Sequence, residues 1–198
     1  MAPTFKENRF AGGTPFAMAR AMHRLFVAIR PPGPVRATLR AAMGGVSGAR
    51  WQTDEQVHLT LRFIGEVDLN AAHDIHAALG AIHHPRFEVA VSGLGTFDRR
   101  GRPEVIWAGV APHEPLKALH KKVDQALARV GIEADRRAYH PHITLARLGR
   151  SAGPVADLLR QSGGISSEPF PVASFTLYGS TLTPTGAVYS VVEQYPLD

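Results

Sequence analysis

HLTLRFIG, residues 58–65, and HITLARLG, residues 142–149, are the same phrase written twice: His, aliphatic, Thr, Leu, two variable positions, aliphatic, Gly. Successive side chains of a strand point to opposite faces. A strand over 57–64 therefore turns Leu59, Leu61 and Phe63 one way and His58, Thr60 and Arg62 the other. In the second copy Ile143 and Leu145 oppose His142 and Thr144 in the same manner. With ten histidines in 198 residues, chance supplies about half a His-x-Thr, so one copy would carry no weight. Two copies, each in a strand pattern and each continuing Leu-x-x-x-Gly, point to an internal duplication.

The flanking sequence repeats the order of elements. RLFVAI (24–29) is a β-rich run stopped by Pro31 and Pro32, and 35–43 can form a short helix closed by Gly44 and Gly45. After the first His strand, Asn70 can cap a helix that carries Ala71, Ile75, Ala78, Leu79 and Ile82, and FEVAVSGL (87–94) is a strand. The series restarts with a strand at EVIWAGV (104–110). A helix comes next on Leu116, Leu119, Val123, Leu127 and Val130, with Gly131 just past its end. After the second His strand come a helix near 155–161 and strands at 172–178 and 187–194. Strand–helix–His strand–helix–strand thus occurs twice, with one terminal strand added. Alternating elements alone suggest a parallel sheet, whereas amphipathic His strands suit a sheet with one covered and one open face. Pattern leaves both open.

Composition narrows the class. At 44% hydrophobic the chain can bury a sizeable core as one domain or two small lobes. It has no cysteine, which excludes disulfides and thiolate metal sites and gives no sign of an oxidising compartment. No apolar run reaches the length of about 20 residues that a membrane helix needs, and residues 1–22 lack a signal peptide's apolar core. They are expected to form a flexible leader, with Met18 and Met22 as possible later starts, before a domain over 23–198. A cytoplasmic protein that binds no membrane is expected. The net charge of +5 favours polyanionic partners.

Residues i and i+2 share a strand face, so each motif offers an imidazole beside a hydroxyl. If the two halves face each other across a pseudo-twofold axis, four such side chains meet in one groove. Two imidazoles titrating near neutrality can supply a base and an acid. Phosphodiester cleavage needs that pair, and threonine hydroxyls can hold the non-bridging oxygens where charge develops. A strained ribose cyclic phosphate fits, and the chemistry requires no metal. On these residues alone the two histidines are interchangeable.

RLFVAI, HLTLRFIGEV, VIWAGV and HPHITLARLG, in that order and spacing, closely resemble the 2H phosphoesterases, nearest to the RNA 2',3'-cyclic phosphodiesterases, historically called 2'-5' RNA ligases. The resemblance runs from Arg24 to the C-terminus. It implies an α+β, bilobal duplicated fold, with two antiparallel sheets and flanking helices around a central groove. It implies His58 as proton donor to the leaving oxygen, His142 as proton acceptor from water, and Thr60 and Thr144 as phosphate holders. The expected substrate is RNA with a 2',3'-cyclic phosphate end, tRNA-like or another small RNA, hydrolysed to a 2'-phosphate by a monomer without cofactor or metal. The same site run in reverse would join RNA through a 2'-5' bond.

Other residues are candidates for binding. Arg147 has the wrong strand parity unless the strand bulges, yet the resemblance places an arginine there near substrate. Arg62 has the right parity and would add charge to the groove, although the family usually has a small or apolar residue at that place. Tyr139 and Phe97 could stack a base. Trp107, inside an apolar strand, is expected in the core. His140, the pair His73 and His76, and the pair His83 and His84 lack partners of a metal set and are expected to be exposed. The basic runs at 98–102 and 136–142 would draw an RNA end toward the groove. Competing readings are a phosphodiesterase for a small cyclic nucleotide or sugar, a non-catalytic RNA-end binder, and a zinc hydrolase.

Overall fold

The computed structural model describes residues 22–184 and 186–198. The leader expected over 1–22 lies, Met22 excepted, outside the described residues. The first series of elements is β1 (His23–Ile29), α1 (Gly33–Ala41), a short β2 (Ala49–Trp51), a 3-10 turn (Asp54–Gln56), β3 (Leu59–Val67), α2 (Leu69–Gly80) and β4 (Phe87–Arg99). The second is β5 (Arg102–Ala111), α3 (His113–Arg129), β6 (His142–Leu148), α4 (Ala156–Ser162), β7 (Phe170–Val172), β8 (Ser174–Thr183) and β9 (Gly186–Pro196). Asp68 rather than Asn70 caps α2, its carboxylate accepting from the Ala71 N–H at 2.9 Å. The aspartate stands at the position before the first turn, where the free N–H groups point. None of the helices among the described residues is long and apolar enough to cross a membrane.

Every strand pairing is antiparallel, which settles the choice that pattern left open. The strand order is β7-β4-β5-β6-β3-β1-β8-β9, with β2 alongside β6. The two His strands are central neighbours, joined through one registered pair, Leu59 with Ile143. These residues hold the same place in the two motifs, so an antiparallel pair between them lies on the pseudo-twofold axis. The fourth strand of each series pairs with the first strand of the other: β4 with β5, and β8 with β1. The nine strands form one continuous sheet instead of the two expected, and its two sides, β7-β4-β5-β6 and β3-β1-β8-β9, do not correspond to the two halves of the chain.

The main core lies on the helix-covered side, where Leu25, Val27, Leu59, Ile143 and Leu145 meet Leu116, Leu119, Val123 and Leu127 of α3. The opposite face is not wholly open. Phe26 and Ala28 of β1 are buried there with Tyr178, and Tyr189 packs against them.

Both His strands bulge at the same place. Val27 pairs with Arg62 and Ala28 with Thr60, so Leu61 is an extra residue. Ile106 pairs with Ala146 and Trp107 with Thr144, so Leu145 is extra. A bulge inverts the facing of the residues beyond it. Arg62 and Ala146 turn to the helix side, and Phe63 and Arg147 turn to the groove. Phe63 is 46% exposed and Arg62 only 8%, the reverse of what strict alternation predicts.

Candidate active site

The pair Leu59–Ile143 fixes the geometry. Both side chains are buried on the helix side, so the residues flanking them face the groove. Extending the register by one residue places His58 beside Thr144 and Thr60 beside His142, with neighbouring Cβ atoms about 5 Å apart. The two imidazoles and two hydroxyls anticipated from sequence thus converge on one patch. The electrostatics agree, since the charge of His142 acts on His58.

Each ring is held alike. The His58 Nδ1–H donates to the Gln56 carbonyl at 2.6 Å, and the His142 Nδ1–H donates to the His140 carbonyl at 2.7 Å. A carbonyl only accepts, so Nδ1 carries the proton and Nε2 is left to the groove. Gln56 is itself anchored: its side chain closes the capping box over Thr53 and donates to the Ala187 carbonyl at 2.9 Å. This ties the first histidine to β9.

The surroundings of the rings are aromatic. His58 lies 5.0 Å from the Phe26 ring and 5.4 Å edge-on from Tyr189. His142 meets Phe97 edge-on at 4.7 Å and Trp107 at 6.4 Å. Burial against these rings pushes His58 down to about 4, reinforced by the nearby charges of His142, Arg147 and Arg30 and opposed by the Gln56 hydrogen bond. His142 is lowered by the same burial, with His140 and Arg147 adding to it and the hydrogen bond to His140 opposing it. Desolvation disfavours the imidazolium in both, so both rings are neutral in the free protein at neutral pH.

Arg147 reaches the groove because of the bulge at Leu145, and its charge is felt by His58, His142 and Tyr189. Arg62 is a correction. Its Nε donates to Asp124 Oδ1 on α3 at 2.8 Å, and its Nη groups donate to the carbonyls of Phe63 and Glu133. The bulge at Leu61 has turned it away from the groove, where it pins β3 to α3 and to the loop before β6. Tyr139 is a second correction. Its hydroxyl donates to the Thr60 carbonyl at 3.2 Å and its ring stacks on His120 at 4.1 Å, so it braces the strand from behind instead of offering a face to a base.

Trp107, expected in the core, is a third correction. It pairs with Thr144 across the sheet and so lies on the groove face. Its indole lies over Gly95, where a Cβ would come within 2.3 Å of the ring. Its Nε1–H is buried without an acceptor among the described residues. His84, expected exposed, is 6% exposed and bonded to the Pro85 carbonyl at 2.7 Å. His76 is bonded to the Tyr195 hydroxyl at 2.9 Å. Among the described residues no group of three or more His, Asp or Glu is placed to hold a metal ion.

Sequence reading missed Phe26, Phe63, Tyr189 and Arg50. Phe26 was within reach, since alternation in RLFVAI sets it against Leu25 and Val27. Arg50 pairs directly with Arg147 across β2 and β6, on a three-residue strand whose pattern is too short to notice.

The sequence model of the 2'-5' RNA ligase superfamily matches residues 31–182. A protein of Aeropyrum pernix named RNA 2',3'-cyclic phosphodiesterase is 37% identical over 142 residues, 70% of this chain and 81% of its own. One of Archaeoglobus fulgidus with the same name is 32% identical over 169 residues, 84% of this chain and 96% of its own. Among solved structures, E. coli LigT complexed with 3'-AMP superposes with a TM-score of 0.73 at 27% identity, covering 89% of this chain and 99% of that one. Taken with the twin His-x-Thr strands around one groove, the match places this chain in the 2'-5' RNA ligase superfamily of the 2H phosphoesterases.

Proposed function

We propose that the protein hydrolyses the 2',3'-cyclic phosphodiester at an RNA end, without a metal, to a 2'-phosphomonoester and a free 3'-hydroxyl. The observation that carries this is the matched pair of Nδ1–H to carbonyl bonds, which leaves two Nε2 atoms for one groove. The relatives named for this activity support the substrate.

In this reading His142 Nε2 takes a proton from water as its oxygen forms a bond to phosphorus. The P–O3' bond breaks, and His58 Nε2 delivers a proton to the departing O3'. Thr60, Thr144 and Arg147 hold the non-bridging oxygens, where negative charge grows. His58 is the apt acid because an imidazole pushed down to about 4 is, once protonated, a strong proton donor. Its proton arrives with the substrate, whose anion is the negative partner that stabilises an imidazolium. With an RNA 5'-hydroxyl attacking phosphorus in place of water, and the same P–O3' bond breaking, the same pair makes a 2'-5' bond.

The test is incubation of the protein, with chelator present, with an oligonucleotide ending in a 2',3'-cyclic phosphate, resolving 2'- from 3'-phosphate products. Turnover to the 2'-phosphate is expected. Loss of about 10²–10⁴ in rate is expected for His58→Ala and for His142→Ala. Untouched substrate, or activity that survives both substitutions, overturns the proposal. A cyclic mononucleotide run alongside reports whether the chain beyond the terminal nucleotide is recognised.

A further inference from the structure

At the end of β6, one residue past Arg147, lies a cavity of about 690 Å³ lined by Arg99, Arg100 and Arg102 of the β4–β5 hairpin and by Arg150 of the loop after β6. All four arginines are exposed. Glu104, the single acidic residue of the lining, stands 4.0 Å from Arg99, which leaves three guanidinium groups from two separate segments around one hollow. Nothing in the catalytic reading uses them.

Two further features show that this cationic edge is built against local preference. Arg50 and Arg147 sit directly opposite each other across β2 and β6, on the groove face, and like charges in that relation repel. Arg100 occupies the left-handed region at φ 54, followed by Gly101 at φ 74. The two form a two-residue hairpin turn in which both central positions favour Asn, Asp or Gly. An arginine there, and an arginine pair beside it, are placements that an anion would justify.

We propose that this cavity binds the backbone phosphates of the RNA strand on the 5' side of the cyclic end, with Arg50 and Arg147 bridging from the catalytic groove. The inference rests on the function proposed above. Leu148, which lines the cavity, lies six residue steps along β6 from His142, a span of about 20 Å at the rise of a strand. A single nucleotide held at the histidines cannot reach so far, and a chain of several nucleotides can. Guanidinium forks suit phosphate oxygens of any sequence, so the site would take RNA by its backbone rather than by its bases.

The test compares wild type with Arg100→Asn and with the triple variant Arg100→Asn/Arg102→Gln/Arg150→Gln. One readout is turnover of a 2',3'-cyclic mononucleotide and of an oligonucleotide of about ten residues with the same end. The other is binding of that oligonucleotide, with an unmodified 3' end, as salt is raised. Expected for the triple variant are unchanged mononucleotide turnover, a KM for the oligonucleotide raised about tenfold or more, and a log–log salt slope shallower by about 2, at 0.7 per lost phosphate contact. Arg100→Asn should weaken oligonucleotide binding while holding or raising Tm, because it relieves the left-handed arginine, and this outcome separates lost binding from lost folding. Wild-type affinity and slope in both variants overturn the cavity assignment even if the cyclic ends are hydrolysed. Wild-type protein that turns over neither substrate overturns the catalytic reading, while the binding arm still reports on the cavity.

Discussion

Replacing His58 by glutamine should remove an acid sensitivity that the fold owes to one buried ring. In an unfolded chain imidazole titrates near 6.5; against Phe26 and Tyr189 it is pushed down to about 4. Between those values the unfolded chain holds a proton that the folded one excludes. Stability is therefore flat above about pH 6.5 and falls as pH drops from there toward about 4. At 1.36 kcal/mol per unit the whole difference is about 3 kcal/mol. The ring edge facing the groove keeps some solvent, which lowers the expectation to about 2 kcal/mol, or about 4–8 °C in Tm for a chain of this size. The assay is urea unfolding of both proteins between about pH 7.5 and about pH 4.5, within the range where the linkage operates. The informative quantity is the difference between them, because the carboxylates and other histidines titrate in both. The gap should shift in favour of the glutamine variant by about 2 kcal/mol across that range. Inorganic phosphate should reduce the acid loss in wild type only, by stabilising the imidazolium. Stability curves that run parallel with pH would refute a depressed His58.

The geometry sets three other outcomes. Arg62→Ala leaves Asp124 and the Glu133 carbonyl without their guanidinium and should cost about 2–3 kcal/mol in unfolding free energy by denaturant titration. Gly95→Ala drives a Cβ to within 2.3 Å of the Trp107 ring; a loss of about 1–3 kcal/mol and a changed tryptophan emission spectrum are expected. Arg147→Gln should lower kcat/KM on a cyclic mononucleotide by about 10²-fold or more and, by removing a cation near both rings, move their NMR titration midpoints upward.

The pieces legible in sequence were those that depend on local periodicity. The two His strands, the amphipathic α3 and the shared facing of each histidine with its threonine come from spacing alone, because i and i+2 share a face whatever the fold. Antiparallel direction came from resemblance and from the polar face of the His strands, since alternating strands and helices fit either topology. The errors share one cause. A bulge at Leu61 inverts the facing of the residues just beyond it, until a second register shift at Ile64, and so turns Arg62 into the helix layer and Phe63 to the groove. Its twin at Leu145 rescued Arg147. An extra residue of this kind leaves no mark in a pattern of apolar and polar letters; it exists only in the register between two strands distant in sequence. Trp107 was misplaced because both faces of β5 are apolar, one toward the core and one toward the histidines. Tyr139 depends on a partner, Thr60, 79 positions away.

The exchange of β4 and β8 between the two series has a consequence for how such a molecule comes apart. Since β4 pairs with β5 and β8 with β1, each half of the chain sends a strand into the side of the sheet that the other half begins. Neither half can therefore complete its side of the sheet from its own residues. With the chain severed at the Arg100–Gly101 turn, its two fragments should be unfolded apart and regain the sheet and both imidazole pockets only on mixing.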